Sequence, residues 1–325
     1  MRLITFDDFI DTYFKIIQRG GSFFLSKFSI NKEKRTKSAF NNSLNESSYA
    51  WNIPKVKERW NFLITGNKKT TYNDYLISNT FKNKNGIKLL SIGSGVSNRE
   101  IEMAENTEIF KEIICIDISE NLMKTAEKNA KSKGLKNIKF ITLNIYEFDF
   151  KPNYFDVVYF KASLHHFDKV DTFLKKYVCK TLQEKGLLII DEFVGANRLQ
   201  FKKSQIKAIN NVIETIPKKY RTRYKSNFRK NKFRGPGLVR MIIADPSECI
   251  DSESILPSIH KYFNPILEKP YGGNLLISAF RDISHHFYIL DDEKEKILEG
   301  VFLIEDEFLK THKSDYLFGI YENKK

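Results

Sequence analysis

Cysteine and long apolar runs are both scarce in this sequence. Its cysteines Cys115, Cys179 and Cys249 lie far apart, with no CxxC pair among them. This pattern gives neither an even-numbered disulfide framework nor a zinc site, and predicts a reducing, cytoplasmic location. No apolar run reaches the roughly 18–20 residues that a membrane span needs. Segment 1–18 contains three aspartates and lacks a small-residue cleavage site, so we do not expect a signal peptide.

Acidic residues are almost absent from one stretch of the chain. Residues 198–234 contain 13 lysines and arginines but a single acid, Glu214, within a chain of net charge +14. Such a segment attracts phosphates, acidic glycans, nucleic acid or an anionic membrane face. The alternative is a solvated basic surface without a partner.

Strand-like and helix-like segments alternate through the middle of the chain. Short apolar runs predict buried strands, and helical patterns follow several of them, two of which end at Gly134 and Gly186. The predicted strands are 87–92, 112–118, 138–145, 154–162 and 187–193, with a sixth near 265–269 and a last one at 314–323. This order predicts a parallel, doubly wound α/β sheet with its ligand at the carboxyl ends of the strands.

Four regions follow from the pattern. Residues 1–50 read as a helical N-terminal extension and linker, and 51–195 as the cofactor-binding core. Residues 196–257 read as a basic helical lid, broken at Pro217 and at 234–237. Residues 258–325 supply strands and amphipathic helices that complete the sheet.

The turn after the first strand, in "LLSIGSGVSN", is typical of nucleotide sites. Gly93 and Gly95 fit the dinucleotide pattern G-x-G-x-x-G/A, but Asn98 stands at the third position, where close helix–strand packing needs a very small residue. NAD and FAD are therefore disfavoured. A GxxxxGK[ST] phosphate loop is absent too.

Polar residues end the next strands. Asp117 ends the second strand 22 residues after Gly95, where a carboxylate can accept hydrogen bonds from a ribose diol. The negative charge of this carboxylate would also attract a cofactor that carries a positively charged sulfonium group. Asn144 and Ile145 end the third strand, where they can border an adenine.

In this order, "LLSIGSG", "CIDIS", "LNIYEF" and "FDVVYFKASLHHF" resemble the class I S-adenosylmethionine-dependent methyltransferases. The resemblance implies a Rossmann-like seven-stranded sheet of order 3-2-1-4-5-7-6 whose last strand is antiparallel. It also implies S-adenosyl-L-methionine as cofactor. The implied cofactor-binding residues are Gly93, Ser94, Gly95, Asp117, Ile118, Met123, Asn144, Ile145 and Lys161. The family often has an acid where this chain has Ser91, and an Asp where it has Asn144.

The flanking segments resemble a bacterial methyltransferase group that is often linked with glycosyltransferases. The resemblance rests on "WNIPKVKERWNFLITG", "DEFVGANRLQF" and the segment 245–273. It implies a glycosyltransferase partner but no particular substrate.

Methyl transfer to a hydroxyl usually needs a base. His165 and His166 follow the fourth strand and Glu192 ends the fifth, which makes all three catalytic candidates. The Asp/Asn spacing of a catechol-type metal site is missing, so we predict no metal. Tyr220, Arg221 and Arg223 are candidates for binding an anionic acceptor, since arginine gives bidentate hydrogen bonds.

The sequence therefore predicts a methyltransferase that acts on a small molecule or glycan, with phosphorylated or lipid-linked acceptors included. One alternative is an RNA methyltransferase that uses the basic segment as a phosphate track, with Tyr220, Tyr224 and Phe228 as stacking residues. The other is a non-catalytic scaffold that binds the cofactor and docks to a glycosyltransferase or a membrane.

Overall fold

A single seven-stranded sheet dominates the computed structural model, which describes residues 1–19 and 48–325. The strand order is β3-β2-β1-β4-β5-β7-β6. Strands β1 to β5 are parallel, and β7 runs antiparallel between β5 and β6. The predicted order and the antiparallel last strand are confirmed. The strands are β1 (Ile87–Ile92), β2 (Phe110–Asp117), β3 (Ile138–Thr142), β4 (Phe155–Lys161), β5 (Leu182–Phe193), β6 (Phe263–Gly272) and β7 (Tyr316–Asn323).

Helices cover both faces and extend beyond the sheet. They are α1 (Phe6–Arg19), α2 (Pro54–Thr65), α3 (Tyr72–Tyr75, continued by a π turn Leu76–Thr80), α4 (Asn98–Ala104), α5 (Glu120–Ser132), α6 (Val170–Phe173, continued by Leu174–Val178 and Cys179–Thr181), α7 (Lys203–Thr215), α8 (Leu238–Ala244), α9 (Ile255–Tyr262), α10 (Leu276–Phe280) and α11 (Asp292–Leu309). Short 3₁₀ turns include Leu164–His166, Lys218–Tyr220 and Ser284–Phe287.

The helix boundaries follow from local chemistry. Ser119 caps α5 by accepting a hydrogen bond from the backbone N–H of Leu122, as its position in the sequence predicts. Helix α2 begins at Pro54, whose missing N–H is not needed there. It ends at Gly66, which has a φ of 80° that favours glycine.

The core lies on both faces of the sheet. Leu89 and Leu90 of β1 are fully buried and belong to different hydrophobic clusters, one on each face. A strand buried on both sides needs the continuous apolar run that the sequence shows. A third cluster joins α7, α10 and α11, which lie after β5 in the chain.

Two predicted boundaries are wrong for tertiary reasons. The helix expected to end at Gly186 ends at Thr181, and β5 begins at Leu182 rather than at 187. Leu182 is fully buried and pairs with Phe155 of β4, so this residue belongs to the sheet and not to the preceding helix. The helix expected over 274–287 breaks after Phe280, because Asp282 has a φ of 68° and pairs with Arg223.

The basic segment is less helical than expected. It forms α7 and α8, with the predicted breaks at Pro217 and at 234–237, but residues 221–237 run without a helix. Buried Lys230 fixes this stretch by donating hydrogen bonds to the carbonyl groups of Ser278 and Arg281, at 2.6 Å and 2.8 Å. These long-range bonds replace the local bonds of a helix.

The predicted N-terminal helix is present as α1, whereas the linker predicted after it falls mostly on residues 20–47, outside the described part of the chain. Among the described helices, none combines the length and the apolarity of a membrane span. The division into four regions stays a prediction.

Candidate active site

The glycine turn lies at the carboxyl end of β1. Gly93 and Gly95 have φ values of 69° and 56°, which L side chains rarely adopt. A Cβ atom on Gly93 would lie 2.6 Å from the Cβ of Ser163, just after β4. Ser163 is itself fixed, because its hydroxyl donates a 2.7 Å hydrogen bond to the carbonyl of Ile92. The first glycine is therefore required by the close approach of the two turns.

Asp117 joins this turn to the end of β2. Its Oδ2 accepts a hydrogen bond from the backbone N–H of Gly95 at 2.9 Å, and its Oδ1 accepts one from Ser119 at 2.8 Å. Burial raises the pKa of Asp117 more than these bonds and nearby His166 lower it. A carboxylate offers about four acceptor sites, so Asp117 keeps acceptor capacity for a ligand hydroxyl.

The other predicted cofactor residues lie at the same edge of the sheet or just beyond it. Asn144 follows β3 and accepts a hydrogen bond from the backbone N–H of Tyr146 at 3.3 Å, while Ile145 beside it is buried. Ile118 is half-buried after β2, and Met123 is buried in the following helix. Lys161 is exposed at the end of β4.

A buried glutamate stands beside Ser91 of β1. The hydroxyl of Ser91 donates a 2.6 Å hydrogen bond to Glu100 of α4, and both side chains are at most 2% exposed. Burial raises the pKa of Glu100. Glu100 is a buried residue beside the glycine turn that is not among the predicted site residues. Its position in the sequence indicates burial, because Glu100 lies on the same helix face as buried Ala104, four residues later.

The second half of the site is a histidine–glutamate pair. Nδ1 of His165 lies 2.7 Å from Oε2 of Glu192. The other oxygen of Glu192 accepts hydrogen bonds from the backbone N–H groups of Ser163 and Leu164, at 2.6 Å and 2.5 Å. Burial lowers the pKa of His165, but the charge and hydrogen bond of Glu192 outweigh it and raise the pKa overall. Glu192 is thus held as the partner that orients His165.

His166 faces a segment that sequence analysis did not connect with the site. Its Nδ1 lies 3.1 Å from the hydroxyl of Ser247, and its Nε2 lies 3.9 Å from a carboxylate oxygen of Glu248. The backbone N–H of Ile250 donates to the carbonyl of His165 at 3.2 Å. Burial and the neighbouring His165 lower the pKa of His166.

These contacts also create a set of side chains that could hold a metal ion. Ligand atoms of His165, His166 and Glu248 lie within 4.8 Å of one another. The absence of a metal therefore stays a prediction.

The predicted acceptor residues are engaged elsewhere. The hydroxyl of Tyr220 donates to Glu293 at 2.9 Å, and Arg221 donates to backbone carbonyl groups at the end of α7. Arg223 is buried and forms a 2.6 Å ion pair with Asp282. The contacts of Tyr220 and Arg223 join the basic segment to Glu293 and Asp282, whereas those of Arg221 stay within the segment, and none joins a residue of the glycine turn or the histidine pair. Binding of the acceptor by these three residues stays a prediction.

Comparison with known proteins assigns the chain to a family. The model of a family described as a methyltransferase domain matches residues 83–258. Demethylmenaquinone methyltransferase from Geobacillus stearothermophilus is 32% identical over 91 residues, which cover 28% of this chain and 39% of that protein. Phosphoethanolamine N-methyltransferase 3 from Arabidopsis thaliana is 30% identical over 112 residues, covering 34% and 22%. The chain therefore spans well under half the length of both relatives.

The fold of this chain is similar to that of a solved methyltransferase. Geranyl diphosphate C-methyltransferase from Streptomyces coelicolor A3(2), solved with Mg²⁺, geranyl diphosphate and S-adenosyl-L-homocysteine, has a TM-score of 0.51 and 11% identity. The match covers 91% of this chain and 98% of that one, and shows the shared fold. The predicted enzyme class and its cofactor agree with these findings. The chain belongs to the methyltransferase domain family and has the class I fold of S-adenosylmethionine-dependent methyltransferases.

Proposed function

We propose that this protein methylates a hydroxyl group of an anionic small molecule or glycan. The observation that carries the proposal is the bond between His165 and Glu192, because it orients a histidine two residues from Ser163, which contacts the glycine turn. A base in that position suits a hydroxyl acceptor.

The glycine turn fits the methionine part of S-adenosylmethionine. Gly95 leaves room for a ligand against the backbone, because nothing lies within 4 Å of a Cβ built on it. Asp117 would bind the ribose hydroxyls, and Asn144 with Ile145 would border the adenine. Ser94, Ile118, Met123 and Lys161 complete the proposed cofactor set. When bound, the cofactor supplies an electrophilic methyl group on a positively charged sulfur.

His165 is the proposed general base. Because its Nδ1–H is donated to Glu192, its Nε2 carries the lone pair that accepts the acceptor's hydroxyl proton. With the cofactor bound, the hydroxyl oxygen would take the methyl group in place of the sulfur as His165 removes the proton, and the Glu192 carboxylate would stabilise the resulting imidazolium. His166 takes a secondary role beside it, since its lowered pKa keeps it neutral.

The nature of the acceptor is part of the proposal. The net charge of +14 and exposed Lys161 favour an anion, which includes phosphorylated and lipid-linked glycans. A cytoplasmic location and a glycosyltransferase partner are expectations from the sequence and belong to the same proposal. The RNA alternative is not favoured, because Tyr220 and Tyr224 pack against the rings of His286 and His285, which leaves Phe228 as the one exposed ring of the three.

Calorimetric titration with S-adenosylmethionine and S-adenosylhomocysteine tests the cofactor half. We expect micromolar binding by the wild type, an unchanged affinity in the surface control Asp292→Ala, and a strong loss in Asp117→Ala. Asp117→Asn keeps the shape of the side chain, so a loss of affinity in this variant would not be due to misfolding. A folded wild type that binds neither ligand contradicts the proposal. A screen with methyl-labelled cofactor against phosphorylated sugars then tests the acceptor half.

A further inference from the structure

Helix α1 is amphipathic, but its buried face includes carboxylates. Asp7 and Asp8 are 8% and 6% exposed, and Phe14 is 7% exposed, whereas Phe6, Phe9 and Tyr13 are 59%, 64% and 50% exposed. A helix of a globular domain normally buries its apolar stripe. This one buries two aspartates with Phe14 and leaves three aromatic rings exposed.

The buried aspartates bond to a distant segment of the chain. Asp7 accepts hydrogen bonds from the backbone N–H groups of Arg234 and Gly235, at 2.5 Å and 3.1 Å. Asp8 accepts from the N–H of Gly237 and from Arg240, both at 2.8 Å. The orientation of α1 is therefore set by polar bonds to the segment that leads into α8, and its outward apolar face follows from them.

The outward rings of α1 belong to a larger apolar patch. Of the sixteen large apolar side chains exposed in the described residues, ten lie in three segments that contact one another. The backbone N–H of Val239 donates to the carbonyl of Leu3 at 3.1 Å, and Phe228 makes edge contacts with Tyr13 and Phe14. The docking patch comprises Met1, Leu3, Ile4, Phe6, Phe9, Tyr13, Phe228, Val239, Ile242 and Ile243. Clustering of this kind marks an interaction surface.

Positive charge surrounds the docking patch. Arg229, Lys232 and Arg234 are exposed, and the guanidinium of Arg234 lies 5.1 Å from the centre of the Phe6 ring. No aspartate or glutamate occurs in residues 215–244. The three acids of α1 are turned inward and paired, Asp11 with Arg240 and Arg281. The patch thus combines exposed aromatic and aliphatic groups with cations and lacks acids from these segments.

We propose that the docking patch binds an anionic lipid bilayer surface. Aromatic and aliphatic side chains enter the headgroup boundary, while arginine and lysine pair with anionic headgroups. A second copy of the chain fits less well, because a two-fold interface would place these cations against each other.

The patch also leads directly to the proposed active site. Helix α8 ends at Ala244, and Ser247 follows it to contact His166. Docking would therefore hold the segment that contacts His166 near the bilayer surface, which suits a lipid-linked acceptor. That last step rests on the proposed function, whereas membrane binding itself does not.

Vesicle sedimentation of the full chain tests the inference. We expect binding to phosphatidylcholine vesicles that contain phosphatidylglycerol, weak binding to phosphatidylcholine alone, and loss of binding at high salt. Phe6→Ser with Phe9→Ser should weaken binding at least about tenfold. Phe62→Ser with Leu303→Ser, which are 51% and 70% exposed elsewhere, should leave it unchanged.

A charge pair completes the test. Arg229→Gln with Lys232→Gln should weaken binding to the anionic vesicles, and Lys124→Gln with Lys131→Gln on α5 should not. Circular dichroism checks that every variant is folded. Equal loss in patch and control variants overturns the proposal. The proposal is also overturned if anionic vesicles are not bound and Phe6 and Phe9 are instead required for dimer formation or for binding of a single-stranded RNA. Cofactor titration of the same variants shows separately whether the methyltransferase site is intact.

Discussion

Nδ1 of His165 and Oε2 of Glu192 lie 2.7 Å apart at the carboxyl ends of β4 and β5, with Glu192 only 1% exposed. The backbone of Ser163 and Leu164 holds the other carboxylate oxygen, so the pair is fixed from both sides. The pair favours one tautomer of His165 and reverses the effect of burial on its pKa.

The pKa of His165 should therefore lie above its ordinary value and fall when Glu192 is neutralised. In Glu192→Gln the side-chain oxygen can still accept the backbone hydrogen bonds, but the carboxylate charge is lost. Burial is then opposed only by the charges of Glu248 and Asp245, so the pKa of His165 falls. Nuclear magnetic resonance titration of the ring signals measures both values, and needs no acceptor. Since His165 must be neutral to accept a proton, the acidic limb of the rate profile should move to lower pH in the variant. A pKa that is the same in both proteins would contradict the pairing.

Replacing His165 should separate catalysis from cofactor binding. With an acceptor found by the screen, His165→Gln should lower kcat by about 10²–10⁴-fold, the usual contribution of a general base. Its affinity for S-adenosylhomocysteine should remain close to that of the wild type. His166→Gln, the matched neighbour, should have a smaller effect on kcat. A larger loss in His166→Gln would reverse the two roles.

The two glycines of the turn should fail in different ways. Gly93→Ala places a Cβ 2.6 Å from Ser163 in a strained backbone, so the protein itself should be destabilised beyond the roughly 1–3 kcal/mol of the strain alone. Gly95→Ala meets no protein atom within 4 Å and should cost only the strain, but weaken cofactor binding. Thermal unfolding and calorimetry on both variants distinguish these outcomes. Equal losses of stability would argue against the close approach at Ser163.

Glu100 should make stability depend on pH. The folded protein raises its pKa and so holds the proton more tightly than the unfolded chain does. Glu100 contributes stability when the pH lies below the ordinary pKa of a glutamate side chain. This contribution is lost as the pH rises through the higher pKa of the folded protein. Urea unfolding across this pH range should show that the free energy of unfolding of Glu100→Gln rises relative to that of the wild type as the pH increases. A constant difference would mean that Glu100 does not titrate on folding.

The protein should contain no stoichiometric metal. Mass spectrometry of purified protein should find far less than one zinc, iron or manganese ion per chain, despite the set formed by His165, His166 and Glu248. A bound ion that disappears in Glu248→Gln would show that this set is a metal site. His165 would then be a ligand rather than a base.

Several features could be predicted because they depend on neighbours in the chain. The apolar run of β1, the turn at Gly93 and Gly95, and the cap at Ser119 all depend on local pattern and backbone freedom. The resemblance to a known family added the strand order, which local pattern does not contain. The beginning of β5 was predicted too late, because its first residue is recruited by pairing with Phe155.

The sequence by itself determined the alternating strands and helices, the glycine turn and the acid at Asp117, since each follows from spacing along the chain. Only the tertiary structure decided that Glu100 lies beside Ser91, that Glu192 orients His165, and that Arg223 pairs with Asp282. It also decided which face of α1 is buried. Periodicity gives a helix two faces, but the choice between them depended on the N–H groups and cations that Asp7 and Asp8 meet in a distant segment.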